Sequence, residues 1–158
     1  MTPDIGHICR QHLAFMKWAD DLMLAAVADA SADASLDISG LQHIFLAEEV
    51  WMRRAQGETE IQISQLEAPL DIAELAEFWP RLHRRWNDWA AALVDWTVLV
   101  PHRNPRGAEF RMPAWQIVLH LANHGSFHRG QVAAMLRAAG VAPPTTDLIA
   151  FYRTHAHG

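Results

Sequence analysis

Apolar residues recur at the 3.6-residue helical period along four stretches of this chain, and each stretch closes at a residue that breaks helices. From Asp4 to about Ala30 the stripe is Ile8, Phe15, Trp18, Ala19, Leu22 and Ala26. The Ser/Asp/Ala run from Ser31 to Ser39 ends it. A second helix is expected from about Gly40 to Gln56, with Ser39 as N-cap and Gly57 as stop. A third starts after Asp71 and buries Ile72, Leu75, Trp79, Leu82, Trp86, Ala90 and Leu93. The fourth opens at Pro113, a residue suited to a first turn, and ends at Gly140 ahead of Pro143 and Pro144. A short last helix is expected from Asp147 through Arg153.

The connections narrow the architecture. About fourteen residues separate Gly57 from Leu70. At roughly 3.3 Å each they can run back along a helix of about 30 Å, so the second and third helices could be parallel. Between Thr97 and Met112, Asn104-Pro-Arg-Gly107 fits a type I turn inside a small two-stranded hairpin. Four main helices with one long crossover make an all-α four-helix bundle the expected fold. The 158 residues, 51% hydrophobic and 20% charged, suit one domain spanning 1–158.

The segment His120-Leu-Ala-Asn-His124-Gly-Ser-Phe-His128 carries three histidines at four-residue spacing. With ten His in the chain, one such pair is expected by chance about 0.6 times, but two overlapping pairs only about 0.04 times. Imidazoles one helical turn apart can share one divalent ion. His120 and His128 stand two turns apart, roughly 12 Å along the axis, so all three cannot meet one ion. On the helical wheel His124 and His128 straddle the line joining Ile117 and Met135, and His120 lies about 60° aside. The expectation is therefore that His124 and His128 point into the core and that another helix supplies a third ligand. His43, grouped with Leu46, Ala47 and Val50 on an inward face, is the best candidate.

Other polar positions read as structural. Glu48 and Glu49 project more than about 100° from His43 and are expected to be solvated or to bridge helices. Arg129, about 120° from the ligand line, is expected to tie helices together by an ion pair, and Gly125 to make room for a neighbouring helix. Asn123, Gln131 and Trp51 could line a pocket beside the ion, but packing or capping is the stronger expectation, and the seven Trp are expected to fill core. His7, His12, His83, His102, His155 and His157 have no partner pattern. Glu48, Glu49 and Glu109 are the available general bases, and spacing places none of them.

These segments carry a resemblance. Gln42-His-Ile-Phe-Leu-Ala-Glu-Glu-Val-Trp51, a Trp-rich third helix and Leu121-Ala-Asn-His-Gly-Ser-Phe-His-Arg-Gly-Gln131, ending in Gly140-Val-Ala-Pro-Pro-Thr-Thr-Asp-Leu-Ile149, are similar to the DinB/YfiT superfamily. Its most specific part is His-x-x-x-His-Arg-Gly-Gln preceded by a distant helical His; Lys17-Trp18-Ala19 is a weaker likeness. The resemblance implies a bundle with an up-down-down-up course, frequent homodimers, and a divalent metal held by His43, His124 and His128. His120 is not a ligand position in that pattern. Characterised relatives include transferases and isomerases that use a small cellular thiol, and others have been regarded as hydrolases.

Three neutral ligands leave an ion its full charge and an open position, which suits Lewis-acid chemistry on a water or a thiol. Zn²⁺ or Ni²⁺ is the expected metal, with Fe²⁺ and Mn²⁺ as alternatives. The expected activity is a metal-dependent transfer with a low-molecular-weight thiol and a small-molecule substrate. A hydrolase or a non-catalytic metal or small-ligand binding protein is the alternative. A zincin would need Glu after its first His, where Leu121 or Gly125 stands, and a di-iron bundle would need paired Glu-x-x-His motifs, which the chain lacks. The net charge of −5 without a Lys/Arg block argues against nucleic acid or an anionic membrane as partner. No apolar run reaches membrane-spanning length. A lone Cys9 and no signal-like segment suggest a reducing cytoplasm.

Overall fold

The computed structural model describes residues 4–31, 36–66, 70–104 and 106–155. These are mostly helical, with one small sheet: α1 (Ile5–Ser31), α2 (Ser39–Ala55), α3 (Ile63–Leu66), α4 (Ile72–Ala92), β1 (Leu99–Arg103), β2 (Glu109–Pro113), α5 (Ala114–Ala138) and α6 (Leu148–His155). Part of the expected break after α1, residues 32–35, and Pro105 of the expected turn lie outside the described residues.

Helix ends follow local chemistry. Gly57 and Gly140 take positive φ, 94° and 78°, which lets the amides just past α2 and α5 turn back. Glu58 N–H donates to the Arg53 carbonyl and Val141 N–H to that of Leu136, the six-to-one bonds of a Schellman motif. Asp71 and Glu74 form a reciprocal capping box at the start of α4. Ser39 is not the cap of α2: it already lies inside the helix, and Asp37 Oδ1 accepts its N–H at 2.9 Å. α4 runs through Pro80, whose missing N–H deprives Ala76 of its helical donor.

Side-chain contacts give the course of the chain. Gln42 donates to the Leu70 carbonyl, Phe45 packs on Trp79, and Gln56 meets Arg85, so position rises along α2 and α4 together. Gly40 lies beside Val132 and Trp51 beside His120, so α2 and α5 run oppositely. Gly6 sits against Trp96 and Asp20 against His83, which sets α1 opposite to α4. The core between these helices holds Phe15, Met16, Met23, Leu41, Ile44, Met52, Trp79, Trp86 and Ile117, each almost fully buried. β1 and β2 pair antiparallel with Val100 opposite Met112, as the turn residues predict, and Gly107 N–H closes the turn on the Asn104 carbonyl at 2.9 Å. No helix among the described residues is long and apolar enough to cross a membrane.

Candidate metal centre

The buried face of α5 runs through Ile117, Val118, Leu121, Ala122, Gly125, Arg129, Val132 and Leu136. His124 and His128 flank it, half-exposed, and His43 is exposed on α2. The expectation that these rings point into the core is thus corrected: they line the solvent side of the α2/α5 contact. The wheel erred because Gly125 and Arg129 carry no hydrophobic weight, which shifted the apparent centre of the apolar stripe by about one residue, or roughly 100°.

The three rings nevertheless meet. His43 Nε2 and His124 Nε2 are 3.1 Å apart, and one ring nitrogen from each of His43, His124 and His128 lies within 4.8 Å of the others. Nitrogens bound at 2.0–2.1 Å to one tetrahedral ion stand ~3.4 Å from one another, so the spacing fits a shared cation. His128 Nδ1 lies 2.8 Å from Gln131 Oε1, an acceptor, a contact in which Nδ1 donates and Nε2 is the nitrogen left to face a cation. Gln131 therefore orients a ring of the trio, a role that its reading as a packing residue missed; its place one turn after His128 was the available signal. Burial, then the neighbouring His128, His43 and His120, push the His124 imidazole down to about 4, and burial with His128 lowers His43. Both rings are accordingly neutral at pH 7, as ligands must be.

His120 stands beside the trio, its ring 5.7 Å from that of His124 and 5.9 Å from Trp51. The three glutamates considered as bases have other partners. Glu49 pairs with Arg53 and Arg85, Glu109 with Arg103, and Glu48 is buried on the far face of α2.

That burial rules out the solvated alternative for Glu48, which instead bridges helices, and corrects the expectation for His83 as a histidine without partners. Asp20 of α1, Glu48 of α2 and His83 of α4 bring ligand atoms within 4.8 Å of one another, fully inside the protein. Trp79 Nε1 donates to Glu48 Oε2 at 2.8 Å, and Arg129 Nη1 donates to Asp20 Oδ1 at 2.6 Å, the ion pair expected of Arg129. Gly125 leaves room for that guanidinium rather than for a neighbouring helix: a Cβ there would lie 2.7 Å from Arg129 Nη1. Burial and the Asp20 charge, opposed by His83 and Trp79, push Glu48 up to about 7. Burial opposes a charged His83, but its bonds to Asp20 and Glu48 and their charges outweigh it and raise the ring to about 9. The group is compatible with a metal ion by residue type and spacing, yet Arg129 and protonated His83 already balance its two carboxylates. The signal for it was in the sequence: Glu48 interrupts Leu41, Ile44 and Met52 at spacings of three and four, as Asp20 interrupts Met16 and Met23.

The profile of the DinB family matches residues 38–156, a span that includes all three clustered histidines. The chain belongs to the DinB family. Protein DinB of Bacillus subtilis (strain 168) is 26% identical over 114 residues, covering 68% of this chain and 66%, just under two thirds, of that protein. No solved structure matches the chain at a significant level. For this DinB-family chain the matched region thus carries α2, α3, α4, the hairpin, α5 and all of α6.

Proposed function

We propose that this DinB-family protein binds one divalent metal ion through His43, His124 and His128 and uses it in a transfer reaction of a low-molecular-weight thiol with a small molecule. The observation that carries the reading is the convergence of three ring nitrogens from two helices, two of them 3.1 Å apart. Zn²⁺ or Ni²⁺ suits an all-imidazole set, with Fe²⁺ or Mn²⁺ next. A bound ion would supply Lewis-acid chemistry, lowering the pKa of a thiol that reaches it.

The chain's own residues do the rest. His43 and His124 present neutral rings, Gln131 holds His128 in one tautomer, and the exposure of His43 leaves a side open to solvent. That openness favours an enzyme over a sealed structural site. The contact order along α2, α4 and α5 supports the up-down-down-up bundle that the family resemblance implies. The same reading takes the protein as a cytoplasmic homodimer, and Val98, Leu99 and Phe110 offer exposed apolar surface on and beside the hairpin.

Metal-loaded protein is tested against glutathione, bacillithiol, mycothiol and coenzyme A for binding and for transfer to an electrophilic acceptor. At least one thiol is expected to bind only when metal is present. Binding and transfer absent with all four would end the thiol reading and leave a metal-binding protein or a hydrolase.

A further inference from the structure

On α2 the positions His43, Ala47, Trp51 and Arg54 fall within about 80° of one another at 100° per residue, so one face carries all four. The opposing face of α5 carries His128, His124 and His120, and the two helices run in opposite senses. Rings follow one another along this seam. His43 lies 4.4 Å from His128 and 5.0 Å from His124, His124 lies 5.7 Å from His120, and His120 lies 5.9 Å from Trp51. The Arg54 guanidinium then stacks over the Trp51 ring at 4.6 Å, and His102 of β1 closes on the other edge of Trp51 at 4.8 Å.

Arg54 differs from Arg53 and Arg103 beside it. Arg53 pairs with Glu49 and Arg103 with Glu109, whereas Arg54, among the described residues, meets no carboxylate and donates only to the Arg103 carbonyl at 3.2 Å. It is half-buried, so its charge is partly stripped of water without a counter-ion. Beside it opens a cavity of about 380 Å³, lined by Arg54, Thr59, Glu60, Gln62, Arg103 and Asn104 among others. That volume suits a small polar head group.

Resting on the metal-site reading above, we propose that the substrate or thiol is elongated and anionic, with its reactive end at the histidine trio and a carboxylate or phosphate held by Arg54. Eleven residues of α2 separate His43 from Arg54, or roughly 16 Å of helix axis, which sets the length between the two ends. The middle of the molecule lies over Ala47 and against the faces of Trp51 and His120. Ala47 keeps that stretch shallow, and the flanking rings offer stacking without charge. Arg103 and Glu60, 3.7 Å apart, line the same cavity and offset one another, so the uncompensated charge there is that of Arg54.

Isothermal titration of the metal-loaded full chain compares 4′-phosphopantetheine and pantetheine 4′-hemisuccinate, each with neutral pantetheine, whose arm extends over roughly that length. The first comparison reports a phosphate, the second a carboxylate. Wild-type protein is expected to bind one anionic probe about tenfold or more tighter than pantetheine, as a charge-assisted hydrogen bond predicts. Arg54→Met keeps the apolar stem over Trp51 and should abolish that preference, while Arg54→Lys should restore part of it. Metal content and the circular dichroism spectrum should stay unchanged in both variants. No preference in the wild type, or a preference that survives Arg54→Met, overturns the anion site while leaving the metal site standing. Failure of the wild-type chain to take up metal removes the metal-site reading itself, and this inference with it.

Discussion

Gly125 and Gly130 stand on one helix five residues apart, and replacing each with Ala should move stability in opposite directions. In a helix interior Ala is favoured over Gly by about 1 kcal/mol. At Gly130 a new Cβ meets nothing within 4 Å, so Gly130→Ala should stabilise by about 0.5–1 kcal/mol. At Gly125 the Cβ would lie 2.7 Å from Arg129 Nη1 and 3.4 Å from its Cζ. Side-chain ends usually yield, but this one is fully buried, bonded to Asp20 at 2.6 Å and to Ser126 Oγ at 3.2 Å, and stacked over Phe15 at 5.2 Å. Displacing it strands a buried carboxylate, a loss of about 3–5 kcal/mol. Set against the helix gain, Gly125→Ala should destabilise by about 2–4 kcal/mol. Urea unfolding followed by tryptophan fluorescence reads both variants on the same footing. A Gly125→Ala protein as stable as Gly130→Ala would refute the claim that Arg129 is held rigidly in the space Gly125 leaves.

Three further outcomes follow from the site and the buried cluster. Gln131→Ala should weaken metal affinity by about 10–100-fold in a chelator competition, with ¹⁵N shifts of His128 reporting a lost tautomer preference, and Gln131→Glu should recover much of both. Asp20→Asn, which leaves Arg129 charged and unpaired inside the protein, should cost about 3–5 kcal/mol in urea unfolding. Folding raises Glu48 from 4.5 to about 7 and His83 from 6.5 to about 9. The native state therefore holds more protons than the unfolded chain, and stability should fall as pH rises from about 4.5 to 9. The His83 contribution is complete below pH 6.5 and lost through pH 9; Glu48→Gln should flatten the part between 4.5 and 7 and, because Glu48 also helps to raise His83, shrink the part above it. A wild-type profile that rises across this range would contradict the assignment.

The helices were legible because breakers and caps act locally. Asp71, Gly57 and Gly140 end or begin helices through bonds within a few residues, and Asn104 and Gly107 close the hairpin in the same way. The spacing of His124 and His128 and their pairing with a histidine of α2 were legible for the same reason: a helical turn fixes which side chains are neighbours. Depth was not. A hydropathy stripe weighs Glu48, His83, Asp20, Gly125 and Arg129 as outside positions, but together they neutralise one another and fill the interior. That compensation joins α1, α2, α4 and α5, and no window along the chain contains it. Gln131 escaped because its role depends on a rotamer that places Oε1 on His128 Nδ1.

Metal uptake tests the histidine trio most directly. Elemental analysis of the purified chain, after equilibration with Zn²⁺ or Ni²⁺ and removal of free ion, should give one divalent ion per chain. The triple variant His43→Ala/His124→Ala/His128→Ala, with an unchanged circular dichroism spectrum, should give none. Equal metal content in the two proteins would contradict the assignment of this trio.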